Sequence, residues 1–380
     1  MKILVVLTYY YPHWTGLTAY ARRLSEGLAR RGHQVTVLTS RYWKTLPREE
    51  VHNGVRIVRL DGLMRLSRGI VMPSFAGAAD RLIREHDVAQ VHIPILESPL
   101  ITALASRHGK KVVITHHGDL VMPSRPFDQF VEHCVTGLMR RALSDAARIT
   151  IHTRDYAENS PFLSRYAEKL VPILPPVEIP APVPEQVAAW RQELGLDHVR
   201  VIGFAGRFVE EKGFDYLLKA VPLVLEQMPD VRFVYAGETN VVYEPFFERW
   251  RHLQERWKDR VLMLGLLNDP QRVANFYALS DVLALPSRTD CFPMVQVEAM
   301  LCGTPTVATD IPGLRVPLQL TGMGRLVRPQ DELALAEGLV AVLRDRDAYL
   351  RSREDIARIF DLDKTIDEYE HLFESLVQHD

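Results

Sequence analysis

The sequence lacks several features that define membrane, disulfide-bonded or metal-binding proteins. No window approaches the roughly 18 consecutive apolar residues of a membrane-spanning helix. The N-terminal run Ile3–Leu7 is too short for a signal-peptide core and predicts a buried strand instead. No G-x-G-x-x-G follows a predicted strand, so the dinucleotide-binding fingerprint is missing. A reducing cytoplasm is the expected compartment, because no C-x-x-C or metal spacing is formed by the three cysteines, Cys134, Cys291 and Cys302.

The composition that remains is ordinary for a globular protein of 380 residues, with 47% hydrophobic and 25% charged residues. This length predicts two domains. The net charge of −2 conceals an asymmetry, because residues 1–175 carry 24 Lys and Arg against 15 Asp and Glu, and the remainder carries 22 against 33. The basic first half suggests an anionic surface or substrate, although an uneven spread of solvated charge explains it equally well.

Short apolar segments alternate with helical patterns in both halves, which predicts two parallel, doubly wound α/β sheets. The strands predicted in the first half are Ile3–Leu7, Gln34–Thr39, Arg56–Leu60, Val88–Ile93, Lys111–Thr115 and Arg148–His152. Those in the second half are Arg200–Ala205, Val231–Ala236, Val261–Leu264, Val282–Leu285 and Thr306–Ala308. Between the halves, Val171–Pro184 has six prolines in positions 172–184, which excludes a central strand or helix and predicts a stiff connector.

The stretch Ser287–Gly303 carries the strongest functional signal. Asp290 precedes a helix that is predicted to begin at Met294, and Glu298 lies inside that helix. The first amides of a helix lack partners and lie at the positive end of its dipole, so they suit a phosphate. Glu298 could accept hydrogen bonds from a ribose diol. The alternative is an ordinary strand-loop-helix unit with surface acids.

Three further loops follow predicted strands, where ligands of such sheets gather. In residues 203–213, Arg207 and Lys212 could neutralise a diphosphate, unless they are surface charges balanced by neighbouring glutamates. His116 and His117 end another strand as catalytic or structural histidines, with no third ligand spaced for a metal. In residues 12–16, Gly16 allows close backbone approach to a ligand, or only makes a turn.

Together these loops resemble the retaining GT-B glycosyltransferases of glycosyltransferase family 4, over nearly the whole chain. Residues 206–213, G-R-F-V-E-E-K-G, resemble the phosphate loop of the family. Residues 290–298 resemble its E-x7-E motif, and A-M-L-C-G-T-P at 299–305 continues it. Residues 150–173 resemble its strand-helix lead into the linker. The chain departs from the family at Asp290, Thr15, Pro293 and Pro175–Val177, which replace Glu, Gly, an amide-bearing residue and Asn-Gly.

The resemblance implies two Rossmann-like domains that face each other across a cleft. Residues 1–175 and a crossing helix at about 365–380 would bind the acceptor, and residues 176–364 the nucleotide-sugar donor. Arg207 and Lys212 would hold the donor diphosphate. The implied catalytic residues are His117, Asp290, Arg207 and Lys212, and the implied donor contacts are Gly16, Arg207, Lys212, Phe292, Met294, Val295 and Glu298.

The implied reaction is retaining, metal-independent transfer of a sugar from a GDP- or UDP-linked donor to a lipid-linked, glycan or small-molecule acceptor. No cofactor and no nucleic-acid partner are expected. No metal is expected either, since the two D-x-D triplets that could bind one, at 345–347 and 361–363, do not follow strands. A nucleotide-sugar epimerase on the same fold and a non-catalytic sugar-nucleotide binder are the alternatives.

The basic and apolar segment Leu63–Phe75, with Arg65 and Arg68, suits a lipid-linked or anionic acceptor at the inner face of the plasma membrane. The equal alternative is that its apolar residues pack inside and its arginines are only solvated.

Overall fold

The structure of the protein is a computed structural model, and it describes residues 1–13, 15–66, 69–120, 126–241 and 244–378. The chain divides into two compact units. Unit 1 comprises Met1–Pro176 and Leu362–Asp380, and unit 2 comprises Val177–Asp361. The sequence predicted the two boundaries between these units after residues 175 and 364.

Unit 1 is built on a largely parallel sheet. Its strands are β1 Lys2–Val6, β2 Gln34–Ser40, β3 Glu49–His52, β4 Val55–Leu60, β5 Met64–Leu66, β6 Gly69–Val71, β7 Val88–Ile93, β8 Lys111–His116, β9 Arg148–Ile151 and β10 Leu170–Pro172. Its helices are α1 Gly16–Arg30, α2 Phe75–Glu85, α3 Ser98–Arg107, α4 Pro126–Asp145, α5 Arg154–Glu158, the 3-10 helix Ser164–Lys169 and α15 Leu362–Val377.

Eight of these strands form one sheet in the order β10-β9-β8-β7-β1-β2-β4-β3. The central strands are mostly apolar, as expected of a parallel sheet whose two faces are both covered, and all six residues of β7 are buried, Gln90 and His92 included. β3 is the single antiparallel strand, at one edge of this sheet. The carboxyl ends of β7, β8 and β9 therefore lie side by side and carry the histidines of the candidate site.

Unit 2 contains a second parallel sheet, in the order β13-β12-β11-β14-β15-β16. Its strands are β11 Arg200–Ala205, β12 Val231–Ala236, β13 Val261–Met263, β14 Val282–Leu285, β15 Thr306–Thr309 and β16 Gly324–Val327. Its helices are α6 Pro184–Glu193, the 3-10 helix Glu210–Lys212, α7 Phe214–Gln227, α8 Phe246–Arg256, α9 Pro270–Leu279, α10 Met294–Leu301, α11 Val316–Thr321, α12 Glu332–Arg344, α13 Arg346–Tyr349 and α14 Arg353–Ile359. The strand order reverses between β11 and β14, and ligands of open α/β sheets bind at such a switch point.

The predicted fold class is confirmed, and four predicted strands, β7, β11, β12 and β14, have the predicted bounds. The predicted connector Val171–Pro184 differs at both ends. β10 pairs in parallel with β9 at the sheet edge, and α6 begins at Pro184. Both outcomes follow from proline chemistry, since an edge strand tolerates a missing amide and the first helical position does not use one. The elements that the sequence did not predict include β3, β5, β6, β16 and α2.

The final helix α15 is fixed to the sheet of unit 1 by a buried chain of hydroxyl groups. The hydroxyl oxygens of Tyr20 on α1 and Tyr369 on α15 are 2.5 Å apart. Tyr369 donates to Thr150 Oγ1 at 2.9 Å, and Thr150 donates to Thr115 Oγ1 at 2.8 Å. Gln90 Nε2 donates to the same threonine at 2.7 Å. These groups are buried, so each hydrogen bond replaces water that folding removes.

We predict that Tyr369→Phe loosens α15 without unfolding the unit. The substitution leaves two buried hydroxyl groups short of a partner, which costs about 1–3 kcal/mol and corresponds to roughly 5- to 150-fold faster local opening. Hydrogen exchange read by mass spectrometry over Leu362–Val377 measures it. Tyr166→Phe is the control, since that hydroxyl donates to Arg140 O at an exposed position. Equal exchange of α15 in both variants would contradict the prediction.

Candidate active site

The loop that follows β11 contacts the loop that follows β14 because the residue at the point of contact, Gly213, has no side chain. β11 and β14 are paired, with Gly203 opposite Leu283. Gly213, which ends the loop after β11, has φ +67, and a Cβ on it would lie 2.0 Å from Pro286 O at the end of β14. Only glycine permits this approach and this backbone conformation. The contact brings residues 206–213 against residues 286–293.

Lys212 and Asp290 form the central ion pair of this site. Lys212 Nζ donates to Asp290 Oδ2 at 2.7 Å. Burial disfavours the charged ammonium, but the carboxylates of Asp290 and Glu211 outweigh it and raise the pKa of Lys212 above its ordinary value. Arg207 lies nearby on the same loop, with a guanidinium nitrogen 3.4 Å from Glu211 Oε1. Lys212 therefore stays a cation at the end of the sheet.

Helix α10 begins where the sequence predicted, at Met294, with Pro293 as its N-cap and no side-chain capping bond. The Met294 amide donates to Phe292 O at 3.2 Å. Glu298, which is half-buried, accepts a hydrogen bond from Tyr277 Oη at 3.1 Å. The amide of Phe292 donates to Asp290 Oδ1 at 3.3 Å. Of the predicted donor contacts, the fold thus places Phe292, Met294, Val295 and Glu298 on the one loop and helix that follow β14.

Arg288 and Asp215 are site residues that the sequence did not single out. The two terminal guanidinium nitrogens of Arg288 donate to the two carboxylate oxygens of Asp215, at 2.9 and 2.8 Å. The Arg288 side chain also donates to Glu210 O at 2.6 Å, and its amide donates to Glu211 O at 2.7 Å. Asp215 is fully buried. Arg288 therefore clamps the turn that carries Lys212.

In unit 1, three histidines lie side by side at the ends of neighbouring strands. His92 is in β7, His117 follows β8 and His152 follows β9. His92 Nδ1 is 2.7 Å from His117 Nε2, and the ring of Tyr20 packs edge-on against His117 with centroids 4.9 Å apart. Burial lowers the pKa of His92 and of His152 to about 3. Burial, and then the neighbouring histidines, hold the pKa of His117 well below its usual value.

A pattern in the sequence marks this cluster. Gln90, Thr115 and Thr150 each stand two residues before one of the three histidines, so each pair lies on one face of its strand. The repeated polar-x-His at the ends of three strands was the signal that the sequence analysis did not use. At neutral pH these imidazoles are uncharged and offer hydrogen bonds without a cation.

The other predicted residues of unit 1 have local roles. The Gly118 amide donates to His116 Nδ1 at 3.2 Å, and Ser160 Oγ donates to both oxygens of Asp119. Burial opposes ionisation of Asp119, but hydrogen bonds from His116 and from Ser160 keep its pKa below the usual value. Gly16 is the exposed first residue of α1, next to the N-cap Thr15. Trp14, in the same predicted loop, lies outside the described residues.

Within the described ranges, no group of three or more His, Cys, Asp or Glu side chains is arranged to hold a metal ion. Among the helices of those ranges, none combines the length and apolar character that crossing a membrane requires.

Comparison with known proteins gives consistent results for both units. The family model described as Glycosyl transferases group 1 matches residues 199–345, and the Glycosyl transferase 4-like domain matches residues 15–176. D-inositol 3-phosphate glycosyltransferase of Xylanimonas cellulosilytica is 30% identical over 366 residues, covering 87% of this chain and 84% of the relative.

Solved structures match over the full chain. Sucrose-phosphate synthase from Thermosynechococcus elongatus has a TM-score of 0.78 at 21% identity and covers 100% of both chains. Anabaena HepE in complex with UDP-glucose has a TM-score of 0.78 at 21% identity and covers 99% of this chain and 100% of that one. The chain therefore belongs to the group 1 glycosyltransferases and has the two Rossmann-like α/β units of the GT-B fold.

Proposed function

We propose that this glycosyltransferase moves a sugar from a nucleoside diphosphate sugar to an acceptor hydroxyl, with retention and without a metal ion. The observation that carries the proposal is Lys212, an ammonium kept charged at the switch point of the unit 2 sheet by Asp290, 2.7 Å away. A ligand phosphate could replace that carboxylate as the partner of the lysine at little cost, because one anion substitutes for another.

The diphosphate contacts follow from the geometry of the loops. Arg207 and Lys212 supply two positive charges from the loop after β11, and α10 presents its N-terminus from the loop after β14. These groups are fixed before the donor binds, because Arg288 holds the turn through Asp215 and two backbone carbonyls. Preorganised charge of this kind stabilises the negative charge that develops on the departing diphosphate.

The remaining donor contacts are proposed as follows. Glu298 binds the ribose hydroxyls, with Tyr277 orienting its carboxylate by the hydrogen bond at 3.1 Å. Asp290 faces the sugar once the diphosphate has replaced it as the hydrogen-bonding partner of Lys212. In unit 1, His117 is a neutral hydrogen-bonding group near the reacting sugar. The acceptor oxygen attacks on the face from which the diphosphate leaves, and no side chain is assigned as a nucleophile. UDP-glucose is the first donor to test, because the Anabaena HepE structure contains it.

The acceptor is proposed to be anionic or lipid-linked, and the protein to work at the cytoplasmic face of the membrane. The charge of +9 over residues 1–175 supports an anionic acceptor. In the predicted surface segment, β5 and β6 form an antiparallel hairpin. Leu63 and Met64 are 72% and 55% exposed, whereas Ile70, Met72 and Phe75 are buried. The side chain of Arg65, and all of Arg68, lie outside the described residues. The exposed apolar pair on a basic unit suits a membrane surface.

We predict that Arg207→Ala and Lys212→Ala each weaken UDP binding about ten- to a hundredfold, since a hydrogen bond to a charged group contributes roughly 1.5–3 kcal/mol. Asp290→Asn should preserve UDP affinity, because it frees Lys212 for the diphosphate, while turnover falls. Isothermal titration calorimetry measures the binding. Lys258→Ala is the control, as that exposed lysine pairs with Glu255 on the surface of unit 2. Unchanged affinity in both cation variants would refute the site.

Transfer should need no divalent metal, because Arg207 and Lys212 provide the charge that a metal would otherwise supply. After exhaustive dialysis against EDTA, sugar transfer from UDP-glucose, or from whichever donor is active in a nucleotide-sugar panel, should proceed at an unchanged rate. Loss of activity that manganese or magnesium restores would show that metal independence is wrong.

Anionic phospholipid vesicles should bind the protein at low salt and release it as salt rises, because surface charges are screened over about 10 Å at 0.1 M. Leu63→Ser/Met64→Ser should weaken sedimentation with the vesicles while UDP affinity is kept. Leu266→Ser, an exposed leucine of unit 2, is the matched control. If the wild-type protein ignores the vesicles even at low salt, a soluble acceptor replaces the lipid-linked one.

A further inference from the structure

The carboxyl ends of β7, β8 and β9, with the residue that follows β8 and β9, carry two polar rows on one face of the unit 1 sheet. The lower row consists of Gln90, Thr115 and Thr150, which hydrogen-bond to one another and, through Thr150, to Tyr369 of α15. The upper row, two residues further along each strand, is the histidine row of His92, His117 and His152. The histidine row thus lies next to a hydrogen-bonded row of buried polar side chains, and that network restricts the positions of the strand ends that carry the histidines.

Within the histidine row, one hydrogen bond joins His92 to His117. Their nitrogens Nδ1 and Nε2 are 2.7 Å apart, with ring centroids 5.0 Å apart in a stacked arrangement. Burial keeps both imidazoles neutral at physiological pH, since it lowers the pKa of each well below the usual value. A neutral imidazole carries a single N–H, so one of the two rings donates and the other accepts.

The surroundings of His92 decide the direction of this bond. His92 is fully buried, and none of the described residues lies within hydrogen-bonding distance of its Nε2. If His117 donated, the proton of His92 would sit on Nε2, as a buried N–H without a partner. If His92 donates from Nδ1, only a lone pair remains unsatisfied. Buried donors without partners are rarer than under-satisfied acceptors, so donation from His92 is favoured.

We propose that His92 is a positioning residue that donates from Nδ1 to His117 Nε2 and thereby fixes the proton of His117 on Nδ1. The hydrogen bond at one ring nitrogen determines which form the other nitrogen takes. His117 then carries its N–H at Nδ1, and a neutral N–H donor is the kind of group that hydrogen-bonds a sugar hydroxyl or a developing oxyanion. The role in transfer rests on the proposed function, whereas the tautomer itself does not.

The tautomer is measured directly by nitrogen-15 NMR of histidine-labelled protein, in which long-range couplings distinguish a protonated from a bare ring nitrogen. The His117 signals are assigned by their loss in His117→Gln. We expect the proton of His117 on Nδ1 and that of His92 on Nδ1 in the wild-type protein. A His117 signal with the proton on Nε2 would overturn the proposal, whatever the activity of the protein.

Two variants test the role of His92. His92→Phe removes the donor and should leave His117 a mixture of tautomers, with kcat about tenfold lower and the donor KM nearly unchanged. His92→Asn places an amide nitrogen where Nδ1 was, so it should keep the Nδ1 tautomer and most of the activity. His86→Asn changes another buried histidine of unit 1 outside the row and should alter neither readout.

The possible results separate cleanly. If His92→Phe does not change the His117 tautomer, or changes it with no effect on kcat, the positioning role is wrong. If His92→Phe fails to fold, the wild-type tautomer and His92→Asn decide alone. If no nucleotide sugar is turned over at all, the proposed function fails, and the NMR result still supports or overturns the tautomer.

Discussion

The proposed donor site depends on a backbone approach that glycine at position 213 permits. A Cβ on Gly213 would lie 2.0 Å from Pro286 O, so any side chain would push apart the loops after β11 and β14. Arg288 then locks the contact by binding Asp215 and the backbone of the turn. Lys212 meets Asp290 because of these two constraints, although 78 residues of sequence separate them.

The two units differ in the charge state of their buried ionisable side chains. In unit 2, Lys212 remains charged because the carboxylates beside it more than offset the cost of burial. In unit 1, His92 and His152 are neutral because burial lowers the pKa of both imidazoles, and the neighbouring histidines lower that of His152 further. This division matches the proposed chemistry, in which a cation holds the diphosphate and an uncharged imidazole contacts the sugar.

Strand positions in the sheet centres were predictable because those segments are short and mostly apolar, as in V-L-A-L at Val282–Leu285 and R-V-I-G-F-A at Arg200–Ala205. Short or edge elements were not. β3, E-E-V-H at the sheet edge, contains a single apolar residue, and α6 begins at Pro184, the last residue of the proline-rich segment. Arg288 and Asp215 escaped notice because pairing across 73 residues leaves no local pattern.

The sequence alone determined the two parallel α/β sheets, the proline-rich stretch between them and the motifs around Lys212, His117 and Glu298, because strand periodicity and turn chemistry are local properties. Tertiary structure alone decided that Lys212 bonds to Asp290 and that Arg288 clamps the turn. It also brought three polar-x-His strand ends together, since the register of parallel strands is set by packing rather than by local sequence.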